Sequence, residues 1–168
     1  MVCHSRRDFL RGNLAPDETD QMRPPGARGD FASLCDRCGK CTEACPEGII
    51  VQGRGQRPSL DFSKGACTFC WDCARACPSG ALLVEHVAEW PWRAEIRPSC
   101  LSLQGIACRA CEDACETRAI WFRLMTAGRA VPELDPGRCT GCGECAFTCP
   151  AGAVGFRRDF PAAVGARE

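Results

Sequence analysis

Tyrosine is absent from this chain of 168 residues, and aromatic side chains of all kinds make up only 7% of it. A chain so poor in large rings has little with which to build a wide apolar core. No uninterrupted apolar run approaches the ~18 residues of a spanning helix, which excludes an ordinary transmembrane segment. An excess of charge of one sign is missing too. The 21 Lys and Arg balance 21 Asp and Glu, so nothing directs the chain to nucleic acid or to an anionic membrane surface. There is no nucleotide loop, substrate-pocket signature or nucleophile–base pair. An enzyme is therefore the least expected class.

The N-terminal stretch Ser5-Arg6-Arg7-Asp8-Phe9-Leu10 reads at first like a twin-arginine export signal. Such a leader needs an apolar h-region after the arginines. Here Asp17, Glu18 and Asp20 stand where that run belongs, and Pro16, Pro24 and Pro25 interrupt any helix. The expectation is a false export signal, with Arg6 and Arg7 as the solvated end of a short helix, and a soluble protein that stays in the cytoplasm.

What the chain has in excess is cysteine, 17 residues of it, with 17 Gly and 12 Pro. A small fold with a weak core calls for covalent or metal staples. On count alone, disulfides, zinc and iron–sulfur clusters all remain open. Disulfides expect an oxidising compartment and a secretory signal, which the N-terminus does not supply.

Spacing discriminates further. Cys35, Cys38, Cys41 and Cys45 precede Pro46; Cys67, Cys70, Cys73 and Cys77 precede Pro78; Cys139, Cys142, Cys145 and Cys149 precede Pro150. Each frame is C-x2-C-x2-C-x3-C-P. Three cysteines at three-residue intervals wrap one corner of a cubane, and the fourth ends a short helical turn that Pro stops. Structural zinc usually takes two well-separated pairs around one tetrahedron, which fits these frames poorly. A third group is stretched: Cys100, Cys108, Cys111 and Cys115 stand in C-x7-C-x2-C-x3-C, with Glu116 in place of Pro. The regular frames imply three [4Fe–4S] clusters and the stretched one a fourth. For the stretched frame the alternatives stay open: a loop over residues 101–107 that returns Cys100 to the iron, a three-iron site, or a labile one.

The frames pair into two units, residues 31–83 and 97–156. They are flanked by an irregular extension over 1–30, a linker over 84–96 and a tail over 157–168. In the first unit Ile49, Ile50 and Val51 favour a strand, Gly53 and Gly55 a turn, and Leu60 and Phe62 a return strand. The stretch from Ala119 to Leu134 repeats the pattern with Gly128 near its turn. The expected fold is α+β: two tandem bacterial two-cluster ferredoxin units, each with small hairpins and short helices around its clusters. In such ferredoxins the fourth cysteine of each frame serves the other cluster. If these frames cross in that way, four sets follow. The first is Cys35, Cys38, Cys41 and Cys77. The second is Cys67, Cys70, Cys73 and Cys45. The third is Cys100, Cys108, Cys111 and Cys149, and the fourth Cys139, Cys142, Cys145 and Cys115.

Cys3 is left over, and beside His4 it reads as an exposed free thiol rather than a metal pair. His86 reads as structural. Trp71, Trp90, Trp92 and Trp121 are expected to shield clusters or fill the interface between units, and Arg109, Arg118, Arg123 and Arg138 to offset cluster charge.

Taken together, the N-terminal Ser-Arg-Arg, the Arg23-Pro24-Pro25 before the first frame, three regular frames and the stretched frame ending CRACEDACE resemble the NapF ferredoxin-type proteins of periplasmic nitrate reductase systems. The resemblance covers nearly the whole chain. It implies a cytoplasmic accessory protein acting on the immature catalytic subunit of periplasmic nitrate reductase before export, in cluster insertion or reductive maturation. That subunit carries a molybdenum cofactor and its own [4Fe–4S] cluster. The competing expectation is an electron-transfer ferredoxin subunit that wires a reductase to a donor. One departure is the lack of an aromatic soon after the two prolines.

Overall fold

The computed structural model describes residues 21–158. The Ser-Arg-Arg motif, Cys3 and His4 lie outside the described residues. Every element is short. Among the described residues there are five one-turn α-helices, α1 (Phe31–Leu34), α2 (Lys40–Glu43), α3 (Asp72–Arg75), α4 (Ala110–Asp113) and α5 (Glu144–Phe147). Six strands accompany them: β1 (Ile50–Gln52), β2 (Pro58–Leu60), β3 (Trp92–Ile96), β4 (Ile120–Leu124), β5 (Ala130–Leu134) and β6 (Val154–Arg158). The strands pair only in twos, as antiparallel ribbons β1–β2, β4–β5 and β3–β6. A two-stranded ribbon is marginal by itself, so each depends on what packs beneath it.

Both hairpins form close to where the sequence places them, but the return strand of the first ends at Leu60, and Phe62, expected on it, lies in the turn that follows. Ile50 faces Leu60 across β1–β2, and a 3-10 turn over Arg54–Gln56 joins the strands, with Gly55 at a φ of 64°. In β4–β5 Ile120 faces Leu134, and Gly128 takes a φ of 71° in the turn. The buried faces alternate. Ile120 and Phe122 point inward while Trp121 and Arg123 point out.

Residues 84–96, expected as a linker, carry regular structure. A 3-10 turn covers Val84–Glu89, and Trp92–Ile96 is a strand whose partner is β6, from Trp92 opposite Arg158 to Ile96 opposite Val154. Trp92 and Ala94 are buried, and Arg93 and Glu95 alternate outward. The segment is thus tied to the stretch after the last frame, where β6 runs on to Arg158. The described part of the N-terminal extension is equally built in. The Leu60 amide donates to the Met22 carbonyl, the Leu83 amide to that of Gly26, and the Arg28 amide to that of Ala81.

Two apolar cores result. One gathers Phe31, Ile49, Ile50, Phe62, Ala81, Leu82, Trp90 and Trp92 around the cysteines of the first two frames. The other gathers Ala94, Ala119, Ile120, Phe122 and Val154 around those of the last two. Burying a side chain such as Ile49 or Phe122 contributes about 1.5–3 kcal/mol. Many of the few large side chains line the walls around the thiols, while Trp121, Leu124 and Phe147 face outward.

Candidate metal centres

The local backbone explains how each frame curls. In the regular frames, the residue two after the first cysteine and the residue just after the second both lie at positive φ. These are Arg37 and Gly39, Phe69 and Trp71, and Gly141 and Gly143. Positive φ at both positions folds the chain back toward its own start, so three cysteine side chains converge on one space. Glycine does this without strain. Frame two instead forces Phe69 (φ 54°) and Trp71 (φ 69°) into the left-handed region. A one-turn helix follows and sends the fourth cysteine away from its own frame.

That divergence brings cysteines of different frames to the same cavities. A cavity of about 260 Å³ is lined by Cys35, Cys38 and Cys41 together with Cys77 of the neighbouring frame. A narrower one is lined by Cys67, Cys70 and Cys73 together with Cys45, and roofed by Ile50, Leu60 and Trp71. In the second unit a third cavity brings Cys100, Cys108 and Cys111 together with Cys149, against Phe122 and Val154. Around Cys145, the charges that bear on it come from Cys142, Cys139, Cys111 and Cys115.

The stretched frame therefore does return Cys100 to its partners. Residues 101–107 fold as tight turns, with the Gln104 amide bonded to the Cys100 carbonyl and the Ile106 amide to that of Leu101. The Ser102 hydroxyl, 4% exposed, donates to the Ala130 carbonyl on β5 at 2.6 Å. The sequence suggested a loose site here, but the loop is tied down and Cys100 is buried.

Burial dominates the thiol chemistry. Desolvation, reinforced by neighbouring cysteines, pushes Cys41 up to about 11, Cys67 to about 11, Cys73 to about 12 and Cys111 to about 11. Cys145 moves in the same direction for the same reasons. Cys77 and Cys115 go the other way. Desolvation raises both, but backbone amides and the hydroxyls of Ser79 and Thr117 together outweigh it. The Ala119 amide lies 3.3 Å from the Cys115 sulfur, the Ala153 amide 3.3 Å from that of Cys149, and the Ala94 amide 3.4 Å from that of Cys139.

Four thiols in each of these three cavities, apolar walls and amides aimed at sulfur fit a [4Fe–4S] cluster, whose potential responds to hydrogen bonds at sulfur and to solvent exposure. When bound, such a cluster supplies a one-electron couple. Sequence reasoning missed the amides of Ala94, Ala119 and Ala153, because a backbone donor leaves no residue-type signal. The glycines at 141 and 143 did stand in the sequence, and their left-handed role was the readable sign.

Other expected residues fall into two groups. Trp90 and Trp92 are buried at 5% and 4%, and the Trp90 indole donates to the Arg23 carbonyl at 3.2 Å. Trp71 lies at the lip of the second cavity under Arg75. Trp121, by contrast, faces outward from β4 at 40% exposure and shields nothing. Arg109 pairs with Glu112, and Arg123 with Glu133, so surface carboxylates already engage two of the four arginines assigned to cluster charge. His86 pairs with Glu89 at the surface.

Comparison with known proteins accords with this geometry. Residues 34–82 and 106–153 each match a 4Fe-4S dicluster domain. The chain is 38% identical to the ferredoxin-type protein NapF of Escherichia coli (strain K12), across 89% of this chain and 92% of that protein. Identity to the NapF of Haemophilus influenzae is also 38%, across 89% and 91%. To the methylamine utilization ferredoxin-type protein MauM of Methylorubrum extorquens it is 33%, across 83% and 73%. Two tandem dicluster ferredoxin domains of this kind carry [4Fe–4S] clusters and make an electron-transfer and accessory protein, not an enzyme. The chain belongs to the NapF family of ferredoxin-type iron–sulfur proteins.

Proposed function

We propose that this protein holds four [4Fe–4S] clusters on the crossed sets and uses them to mature the catalytic subunit of periplasmic nitrate reductase. It acts in the cytoplasm, before that subunit is exported, by cluster insertion or reductive assembly. Kinship with NapF over nearly the full length supports the choice of receiver. Among the described residues no helix is long and apolar enough to cross a membrane.

One observation carries the reading, an asymmetry of access. Cys38 and Cys70 of the first unit are exposed, while Cys100, Cys111, Cys139 and Cys145 of the second are buried and none of its eight frame cysteines is exposed. Of the three cysteine-lined cavities described above, the widest belongs to the first set. The first unit is thus the exchanging side, where a cluster or an electron reaches the receiver. The second unit is the retained store. A second reading, an electron-transfer subunit serving a mature reductase, is favoured by the close backbone contact between Cys67 and Cys142.

The test is the nitrate reductase activity and iron content of cells lacking this protein, with anaerobic capture of the catalytic subunit from cytoplasm. Maturation predicts an iron-poor, weakly active reductase and capture of its immature form. A fully loaded reductase that loses only electron supply, with capture of the mature form, would replace this reading with the second.

A further inference from the structure

The two units touch through their cysteine-bearing loops. The Cys67 amide, in frame two, donates to the Cys142 carbonyl, in frame four, at 2.7 Å. This joins the cysteines of different units by one hydrogen bond between adjacent backbones. Next to it, Gly143 is pressed on Phe62 so closely that a Cβ would lie 2.2 Å from the ring. A Cβ on Gly141 would lie 2.3 Å from the Trp92 carbonyl oxygen. Both glycines are at positive φ, 92° and 76°. Phe62 also stacks on Phe156 of β6, with ring centroids 4.9 Å apart. Any side chain at 143 would wedge the loops apart.

We propose that this junction makes the two ferredoxin units one continuous electron path. The second and fourth cysteine sets, to which Cys67 and Cys142 belong, are its middle stations, and the first and third sets are its ends. The order along the path is first, second, fourth, third, which differs from the order in the chain. The transfer moves one electron from a reduced [4Fe–4S] cluster to an oxidised neighbour, which is reduced as the first is oxidised. No bond forms or breaks and no proton moves. The external donor is a low-potential one-electron reductant. Gly143 and Phe62 are positioning residues: they set how near Cys67 and Cys142 come. The path rests on the clusters being bound, not on the identity of the receiver, so it stands under either reading above.

The experiment uses the anaerobic, dithionite-reduced protein carrying Cys38→Ser and Cys108→Ser, which spoil one ligand each in the first and third sets. Paramagnetic resonance and Mössbauer spectra then report the two clusters left, one in each unit. The expected result is a spin-coupled, split signal. Two full-strength but magnetically independent clusters would overturn the path. In the otherwise unaltered chain, Gly143→Val should lose the part of the coupling that joins the units while iron content holds. Undiminished coupling in that variant, with iron intact, would also overturn it. Neither spectrum depends on nitrate reductase, so failure here leaves the maturation reading untouched, and failure of maturation leaves the path untouched.

Discussion

A buried thiol that has lost its water keeps its proton, and iron must displace that proton. Burial holds the metal-free thiols of Cys41, Cys67, Cys73 and Cys111 protonated up to about 11 or 12, whereas iron-bound sulfur carries none. The loaded protein therefore binds fewer protons than the unloaded one at every pH below that range. Rising pH favours loading and falling pH favours release, by about tenfold per pH unit for each proton returned. Cluster loss to an iron chelator, followed by bleaching of the iron–sulfur absorbance, should go on slowing as pH rises from about 9 to about 11, a range in which an ordinary thiol is already ionised. A rate that levels off above about 9 would contradict the burial argument. Crossing is also decided residue by residue. Cys45 lies with Cys67, Cys70 and Cys73, so Cys45→Ser should abolish the cluster of the second set and spare that of Cys35, Cys38, Cys41 and Cys77. Single-frame spectra that show the reverse would return each frame to its own cluster.

At the scale of elements, the stretched frame is held by a side chain the spacing did not advertise. Ser102→Ala removes the bond to Ala130 and leaves a carbonyl unpaired, which should cost about 1–2 kcal/mol. The expected outcome is faster loss of the third set's cluster, with the first unit's spectrum unchanged. Arg23 is buried at 5%, donates to the Pro58 carbonyl at 3.0 Å and lies 5.3 Å over the Phe31 ring. Arg23→Ala should lower the stability of the loaded protein by about 1.5–3 kcal/mol, measured by anaerobic denaturant unfolding. These elements also mark what the sequence could tell. Both hairpins were legible, because alternating apolar residues and glycine turns leave a period of two. The strand Trp92–Ile96 carries the same alternation, but it follows Pro91 and its partner lies about sixty residues further along the chain, so no local signal marks it. The role of Arg23-Pro24-Pro25 was hidden for a similar reason: it is a set of contacts with residues that lie distant in the chain.

At the scale of the whole molecule, cysteine spacing reaches further than composition or propensity. The frames fix which thiols converge, because a turn of the C-x2-C-x2-C kind has few shapes and the helix after it has one direction. Spacing carried no information on which frames of different units face each other, nor on which unit opens to solvent. Those depend on Phe62, Gly143 and the β3–β6 ribbon acting together. The arrangement that results, a first unit with two exposed cysteines joined at Cys67 to a second unit with none, is the basis of both the maturation proposal and the electron path. It requires all four sets to be filled. Iron and acid-labile sulfide should therefore be counted per chain in anaerobically purified protein, with Mössbauer spectra to identify the cluster type. The prediction is about sixteen iron and about sixteen sulfide, all in cubane form; stoichiometric zinc without sulfide, or fewer than four clusters in a fully loaded preparation, would contradict it.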